Sequence, residues 1–538
     1  MKAPDGGCED GRVYTQTYGH QTGKRERGGI DLCRKRIGKA VFLLMTIFLT
    51  GCASGKNSAD VGEPERDSVI QETNETDKTG ENSGTDKTGK DGEASGNYGE
   101  EEQAGRVSGI ETEPEMVYEA PESVPKICVN QLGYITRSDK IAFFFGEELP
   151  QEFHVVRADT KEVVFAGYLR DKGYNEAQQE YNGYGDFSEV QERGTYYIEA
   201  PILGKSYSFR IGEELYEDVL KEACRNYDWR LGSLLTAQEQ AGKAPEGEVL
   251  KAAADIAVTL LAYELNASSF TDDTGISESG NEIPDILDKV RYEAEQMLQM
   301  QDAKTGAVSA KSPGKEQWEA AFAMVLAKFS YLYQHYDTDF ATECLKAADR
   351  AWSYAELGAE EEAEVSKRDG WKLAAAAELY RASGKQSFHD YISEYFLEED
   401  HLDEMELPVL LGYVTYISTR GQVDLKFCEE ISEDLTDQAD QAAKRIEDFL
   451  LENREGDRDD KCQELLEESM YLILVNHMIT SQEYEILVEN ILHYLMGRNV
   501  QSVNYIESME EGNCRTILLL SEILNWQQEH DDGERTSS

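Results

Sequence analysis

Hydrophobic and polar positions alternate along this chain with two different periods, and the switch falls near residue 211. Between Pro125 and Ile211 the apolar residues come in short alternating runs: Lys140–Phe145, Phe153–Val156, Val163–Phe165, Thr195–Ile198 and Tyr207–Ile211. Side chains of a strand point to opposite faces in turn, so such runs bury one face and wet the other. Several of them within about a hundred residues, separated by polar or glycine-bearing turns, predict a β-sandwich. From Leu215 to about His530 the spacing becomes three to four. Trp318, Phe322, Val325, Leu326, Phe329 and Leu332 fall on one helical stripe, as do Leu373, Ala376, Ala377 and Tyr380. The segment 462–479 and the set Tyr484, Ile486, Leu487, Ile491 and Leu492 continue the pattern. Helix after helix joined by short loops fits a bundle, a helical repeat or an α/α barrel, and the period does not choose among them.

Upstream of both regions the pattern is different again. Residues 34–52 read as a basic stretch, a short apolar run and then Leu49-Thr50-Gly51-Cys52. This is the layout of a secretory signal, and the final tetrad resembles the lipobox of bacterial lipoproteins. The run falls short of the roughly 20 apolar residues that a spanning helix needs. The resemblance implies a diacylglyceryl group on the Cys52 thiol, cleavage before it, and a chain anchored by lipid on the extracellular face of a bacterial cell membrane. Residues 1–33 are polar and aperiodic, which fits either a start placed too far upstream or an extended leader. Residues 53–120 are rich in Glu, Gly, Asp, Ser, Thr and Lys, with TDKTG at 76–80 and again at 85–89. So little apolar content cannot offset the entropy of ordering, and the segment reads as a disordered tether. The expected organisation is leader and signal to 52, tether 53–120, β-sandwich 121–212, helical domain 213–530 and a short tail 531–538.

Charge narrows the partners. With 106 acidic against 53 basic residues the net charge is −53, which repels nucleic acid and anionic membrane surfaces and leaves the lipid anchor as the membrane contact. Nine cysteines are scattered without C-x-x-C or other zinc spacing. Most of those beyond position 100 lie in apolar segments, where a buried free thiol is expected.

Specific motifs then identify a relative. VNQLGY at 129–134, Lys140, the turn Gly185-Asp186-Phe187-Ser188, Gly194-x-Tyr196 and SFRIG at 208–212 resemble the immunoglobulin-like domain that precedes many catalytic modules of glycoside hydrolase family 9, the endoglucanase or cellulase family. The stretch from Ala252 onward resembles the first barrel helices of that family. WKLAAAAELYRASG at 371–384 and HYLMGRN at 493–499 match further segments. The resemblance implies an immunoglobulin-like β-sandwich followed by an all-α (α/α)6 barrel, here shortened. It also implies inverting hydrolysis, which needs an acid and a base carboxyl roughly 6.5–9.5 Å apart across the scissile bond.

In the family an Asp-Ala-Gly-Asp loop supplies the base. The aligned tetrad here is Gln240-Ala241-Gly242-Lys243, so Gln240 and Lys243 stand where the aspartates would be. Glu239, Glu246 and Glu248 lie nearby and read as a relocated base or as a solvated acidic loop. Glu507 sits six residues before Asn513, the family's spacing from acid to closing helix, and is the candidate acid. Glu510 and Glu511 compete with it, and Gly512 replaces a tryptophan. These residues imply a cellulase-like protein that binds or acts on β-glucan or a related β-linked polysaccharide with impaired catalysis. The alternatives are an active inverting endo-β-glucanase with a relocated base, and a helical scaffold indifferent to sugar.

The remaining candidates are weaker. Asp272, Asp273, Glu278, Asn281, Glu282 and Asp285 form an oxygen-rich loop of the kind calcium uses, or equally a solvated turn. No other cofactor is expected. His335, His389, His401, His477 and His493 are isolated, the last two on apolar helix faces. Trp229, Trp318, Trp352 and Trp371 read as packing, whereas Trp526 on the last helix reads as exposed.

Overall fold

The computed structural model describes residues 118–176, 178–241, 246–308, 316–359, 369–396, 405–452, 458–508 and 513–537. Among these residues ten strands make two sheets. In the first, β1 (Ile127–Cys128), β3 (Ile141–Gly146), β7 (Glu180–Asp186) and β6 (Arg170–Asn175) lie in the order β1-β3-β7-β6. The second runs β2 (Gly133–Tyr134), β10 (Phe209–Ile211), β8 (Gly194–Ala200), β4 (Glu152–Arg157), β5 (Val163–Tyr168), with β9 (Gly204–Lys205) beside β8. All pairings are antiparallel except β2 with β10.

Alternation explains the core. Ala142 and Phe144 of β3, Phe153 and Val155 of β4, Tyr196 and Ile198 of β8, and Phe209 and Ile211 of β10 share one buried cluster. Phe153 is seated between two glycines: a Cβ at Gly167 or Gly185 would come within 2.5–2.6 Å of its ring. That close approach is what a glycine in a strand permits. Lys140 is fully buried, and its ammonium donates to the carbonyls of Thr136 at 2.7 Å and Ser138 at 2.8 Å. Burial lowers it to about 8. The lysine that marks the motif therefore ties the turn before β3 to itself.

The helical domain alternates outer and inner helices. The outer set is α2 (Leu231–Ala241), α4 (Asp285–Met300), α6 (Thr338–Ala359), α8 (Gln386–Phe396), α10 (Leu425–Glu452) and α12 (Gln482–Leu495). The inner set is α3 (Glu246–Leu265), α5 (Glu316–Tyr333), α7 (Gly370–Ser383), α9 (Leu407–Ile417), α11 (Arg458–Met478) and α14 (Cys514–Ser537). A short α1 (Glu217–Asn226) precedes them, and the single turn α13 (Tyr505–Ser508) leads into α14. Neighbouring inner helices pack α3-α5-α7-α9 and α11-α14-α3. Tyr471 of α11 closes the gap to α9 by donating to the Met405 carbonyl at 3.3 Å. Two rings of six make the (α/α)6 architecture. The last helix continues through most of 531–538 rather than stopping before it.

An inner helix with neighbours all round must be apolar all round, as α7 is, whereas α11 keeps an exposed polar face at Gln463, Glu464 and Glu467. In α7 every residue from Trp371 to Tyr380 is buried. Alanines dominate that run as they do in α3 and α5, because small side chains let six helices close on one axis. Helix ends are satisfied locally. Asp369 caps α7 by accepting from Trp371 N at 2.9 Å, and Gly384 ends it in the left-handed conformation. On α4, one turn apart, Lys289 donates to the carbonyls of Cys224, Arg225 and Tyr227 at the end of α1, and Glu293 accepts from Gly232 N at 2.8 Å at the start of α2. These are the orphan groups and dipole ends that such charges stabilise. All six described cysteines, 128, 224, 344, 428, 462 and 514, are buried free thiols.

Candidate active site

The inner helices are parallel to one another, which side-chain contacts establish. At their C-terminal ends Glu264 of α3, Lys328 of α5, Glu378 and Arg381 of α7 and Thr415 of α9 meet. Lys328 reaches Glu264 at 2.7 Å and Glu378 at 3.1 Å, while Arg381 pairs with both carboxylates. Thr415 donates to Glu378 at 2.7 Å, and Arg381 lies 4.4 Å from the Tyr331 ring. A second buried group follows, where Glu522 of α14 accepts from Asn266 and faces His477, each at 2.9 Å. This end is a closed floor.

The opposite, N-terminal rim is where the candidate catalytic positions fall. Gln240 is one residue from the end of α2, Glu246 opens α3 with Glu248 exposed beside it, and Glu507 lies on α13 just before α14. Lys243 lies outside the described residues, as do Cys52, Glu510 and Glu511. The connections into the six inner helices at this end, 242–245, 309–315, 360–368, 397–404, 453–457 and 509–512, lie outside them too. Asn513, just before α14, bonds Gln463 five residues into α11 at 2.8 Å, so α11 begins about 8 Å above the start of α14 at 1.5 Å per residue. The Cys514 thiol donates to Asp255 of α3 at 3.3 Å. Asp255 is nine residues into α3, so α3 rises about 13 Å above the start of α14 at 1.5 Å per residue. The first turns of α3 and α11 thus stand above the start of α14 at this end.

Buried charges mark this rim that sequence reading passed over. Asp255 is paired with Lys251 at 2.8 Å besides accepting from Cys514. Burial pushes the Cys514 thiol and the neighbouring Tyr227 hydroxyl far up, so both stay protonated. Glu319 on the first turn of α5 and Lys372 on the first turn of α7 are also buried, Lys372 within 3.7 Å of Glu356. The signal was available: each interrupts an alanine-rich apolar run, AAADIAV, WEAAFAM or WKLAAAA. A charge on a helix with no solvent face has to be held by a partner.

Other candidates resolve differently. In the 272–285 loop Asp272 and Asp285 are turned on the loop itself, and Asp273 on α1. Asp272 accepts from Gly280 N and Glu282 N at 2.6 Å, Asp285 from Thr274 and Ser279, and Asp273 pairs with Lys221 at 3.0 Å. Among the described residues no group of three His, Cys, Asp or Glu is placed to hold a metal. Trp526 is buried, not exposed, because it lies on the inward side of α14, whose exposed residue here is Gln528. The other four tryptophans are buried as well. His493 is buried against the sandwich, where burial together with Arg498 and Lys140 holds it well below the usual imidazole range. Asn130 Oδ1 accepts from Leu132 N and Gly133 N, so its amine faces the neutral His493 Nδ1 at 3.0 Å. His477 meets Glu522 at the floor, His389 bonds Tyr416 at 3.2 Å, and His335 is exposed. His401 lies outside the described residues. Among those residues, exposed aromatic rings occur on the sandwich at Tyr168, Tyr174 and Tyr181, and on the barrel at Tyr292 and Tyr336. No helix among the described residues is long and apolar enough to cross a membrane.

Two concentric rings of six helices behind an immunoglobulin-like sandwich define a class, and sequence comparison gives it a family. Residues 122–205 match the cellulase N-terminal ig-like domain, and residues 231–517 match glycosyl hydrolase family 9. The chain belongs to glycosyl hydrolase family 9. It is similar to endoglucanase D of Acetivibrio thermocellus, 23% identical over 460 residues that cover 71% of this chain and 73% of the relative. Its fold is shared with the structure of a Bacteroides ovatus GH9 protein, at 18% identity and a TM-score of 0.60 over 75% of this chain and 99% of that one. A metagenome-derived family 9 endoglucanase superposes with a TM-score of 0.59 at 19% identity, over 74% of this chain and 98% of that one.

Proposed function

We propose that this protein engages β-linked polysaccharide at the N-terminal rim of its inner ring and hydrolyses it poorly or not at all. Family membership supports the substrate class, together with the endoglucanase name of the relative that spans most of the chain. The observation that carries the impairment is the chemistry at the junction of α2 and α3, where Gln240 and Lys243 offer no carboxylate. Glutamine has no basic site, and a lysine ammonium is protonated at neutral pH. Inversion needs a base as well as an acid, so Glu507 alone would protonate a leaving oxygen with no activated water to follow.

Release of reducing ends from soluble β-glucans, xyloglucan and mannans by the full chain, with Glu507→Gln as control, tests this. The expected result is no turnover, with retardation of the protein in gels containing the bound glycan. Turnover abolished by the substitution would establish the active-enzyme reading, and Glu246 and Glu248 at the head of α3 would be the first bases to replace. Neither turnover nor retardation would leave a scaffold. We also propose that the protein is held outside the cell by lipid on Cys52. Mass spectrometry of the mature N-terminus checks this: a diacylglyceryl-modified Cys52 is expected, and an unmodified N-terminus elsewhere would overturn it.

A further inference from the structure

We infer that Gln131 of the sandwich is a positioning residue for Glu507, acting through the turn at 496–504; the inference rests on the reading of the rim as the polysaccharide site. After α12 the chain makes a compact turn closed by a bridge between Met496 and Asn504. Inside it Asn499 donates to the carbonyls of Tyr494 at 2.8 Å and Val503 at 2.9 Å, and its Oδ1 accepts from the N–H groups of Gln501 and Val503, each at 3.2 Å. Arg498 is tied back to Asn490 of α12 at 2.8 Å, and further fastening comes from the other domain. Gln131 N donates to the Met496 carbonyl at 2.9 Å, and Gln131 Nε2 donates to the Ser502 carbonyl at 2.6 Å.

Two backbone features show that the carboxamide is built into the turn rather than resting on it. A Cβ at Gly497 would lie 2.4 Å from Gln131 Nε2, so the amide fills the space a side chain there would take. Ser502 has φ 47°, the left-handed region that a non-glycine residue holds only where its surroundings enforce it. Ser502 is held there by its own N–H, which donates to the Asn499 carbonyl at 2.8 Å, and by Gln131 at its carbonyl. Tyr505 follows directly, buried and stacked 6.1 Å from Tyr494, and its hydroxyl donates to Gln501 at 3.3 Å. It opens α13, so Glu507 lies two residues on, within the same helical turn. Gln131 of the sandwich thus fixes the Ser502 carbonyl three residues before α13 opens, and with it the entry of α13.

Hydrogen–deuterium exchange on the full chain tests this. Gln131→Glu keeps the size but sets an acceptor against the Ser502 carbonyl, and Gln131→Asn is a milder variant should the first fold poorly. Exchange across 499–508 is expected to rise about tenfold, the loss of one well-made hydrogen bond, with the strands of the sandwich and α7 unchanged. Ser502→Gly relieves the left-handed residue and is expected to restore most of the protection in the Gln131 variants. A glutamine that merely glued the domains together would give a rise spread over α12 and the sandwich that Ser502→Gly did not rescue. That result, or no rise at 499–508, would overturn the inference. Gel retardation by β-glucan, measured on the same variants, keeps the two readings apart. A local rise in exchange without any change in retardation would sustain the role of Gln131 and remove the rim as the glycan site.

Discussion

At the C-terminal end of the inner ring, Glu264, Lys328, Glu378 and Arg381 sit in mutual contact with almost no exposure, two negative charges against two positive. At the N-terminal end the same helices carry Glu246, Glu248, Asp255, Glu319 and Lys372, of which Glu248 is exposed and Asp255 is held by Lys251 and a thiol. In the floor quartet each carboxylate is paired with both cations, whereas Glu522 beside it meets Asn266 and His477. The rim gathers several acids without such a closed set of pairs. The two ends share helices but not residues, so a substitution at the rim leaves the charge balance of the floor untouched.

The largest effect should come from unbalancing the floor. Lys328→Met leaves Glu264 and Glu378 with only Arg381 between them, and breaking a buried pair in this way costs about 3–5 kcal/mol. Urea unfolding of the full chain should show that loss, and a change under 1 kcal/mol would mean that water reaches the floor.

Acid titration sharpens the same point. Burial alone would raise the Glu264 carboxyl, but Arg381 and Lys328 override it and hold it well below the usual carboxylate range. A depressed pKa contributes stability that is present above the unfolded value, about 4.3 for glutamate, and is lost as pH falls through the folded value. The midpoint for thermal unfolding should therefore be insensitive to the floor between pH 8 and 5 and fall steeply below about pH 4. In Lys328→Met that acid-side fall should be shallower.

At the rim the effects should be smaller. Asp369→Ala removes the cap of α7 and should cost about 1 kcal/mol, read by the same unfolding experiment. Glu248→Gln, on an exposed first turn, should change stability by less than about 0.5 kcal/mol. Any large effect of that substitution would appear in glycan retardation or turnover, and would locate the site at the head of α3.

The sequence was most legible where one face of an element repeats. The runs at 153–156, 163–165 and 195–198 lie wholly in strands, those at 140–145 and 207–211 do so but for Lys140, Tyr207 and Ser208, and the stripe from Trp318 to Leu332 lies on α5. The strands β6, RDKGYN, and β7, EYNGYGD, carried no such sign, since glycine, asparagine and charge replace the branched residues that betray a strand. They are strands because β7 pairs with β3, about forty positions away, and brings β6 with it. Trp526 misled for the related reason that a helical stripe does not say how many neighbours the helix has.

By itself, then, the sequence determined the two periods, the order of sandwich and barrel, the family, and the identities Gln240, Lys243 and Glu507, because these depend on residues close together or on motifs read in line. The tertiary structure alone decided that Lys328 neutralises glutamates 64 and 50 positions away, that Asp255 meets a cysteine 259 positions on, and that Gln131 reaches 371 positions to hold Ser502. A buried charge or a wedged amide is recognised only by what surrounds it, and what surrounds it is assembled when distant segments pack.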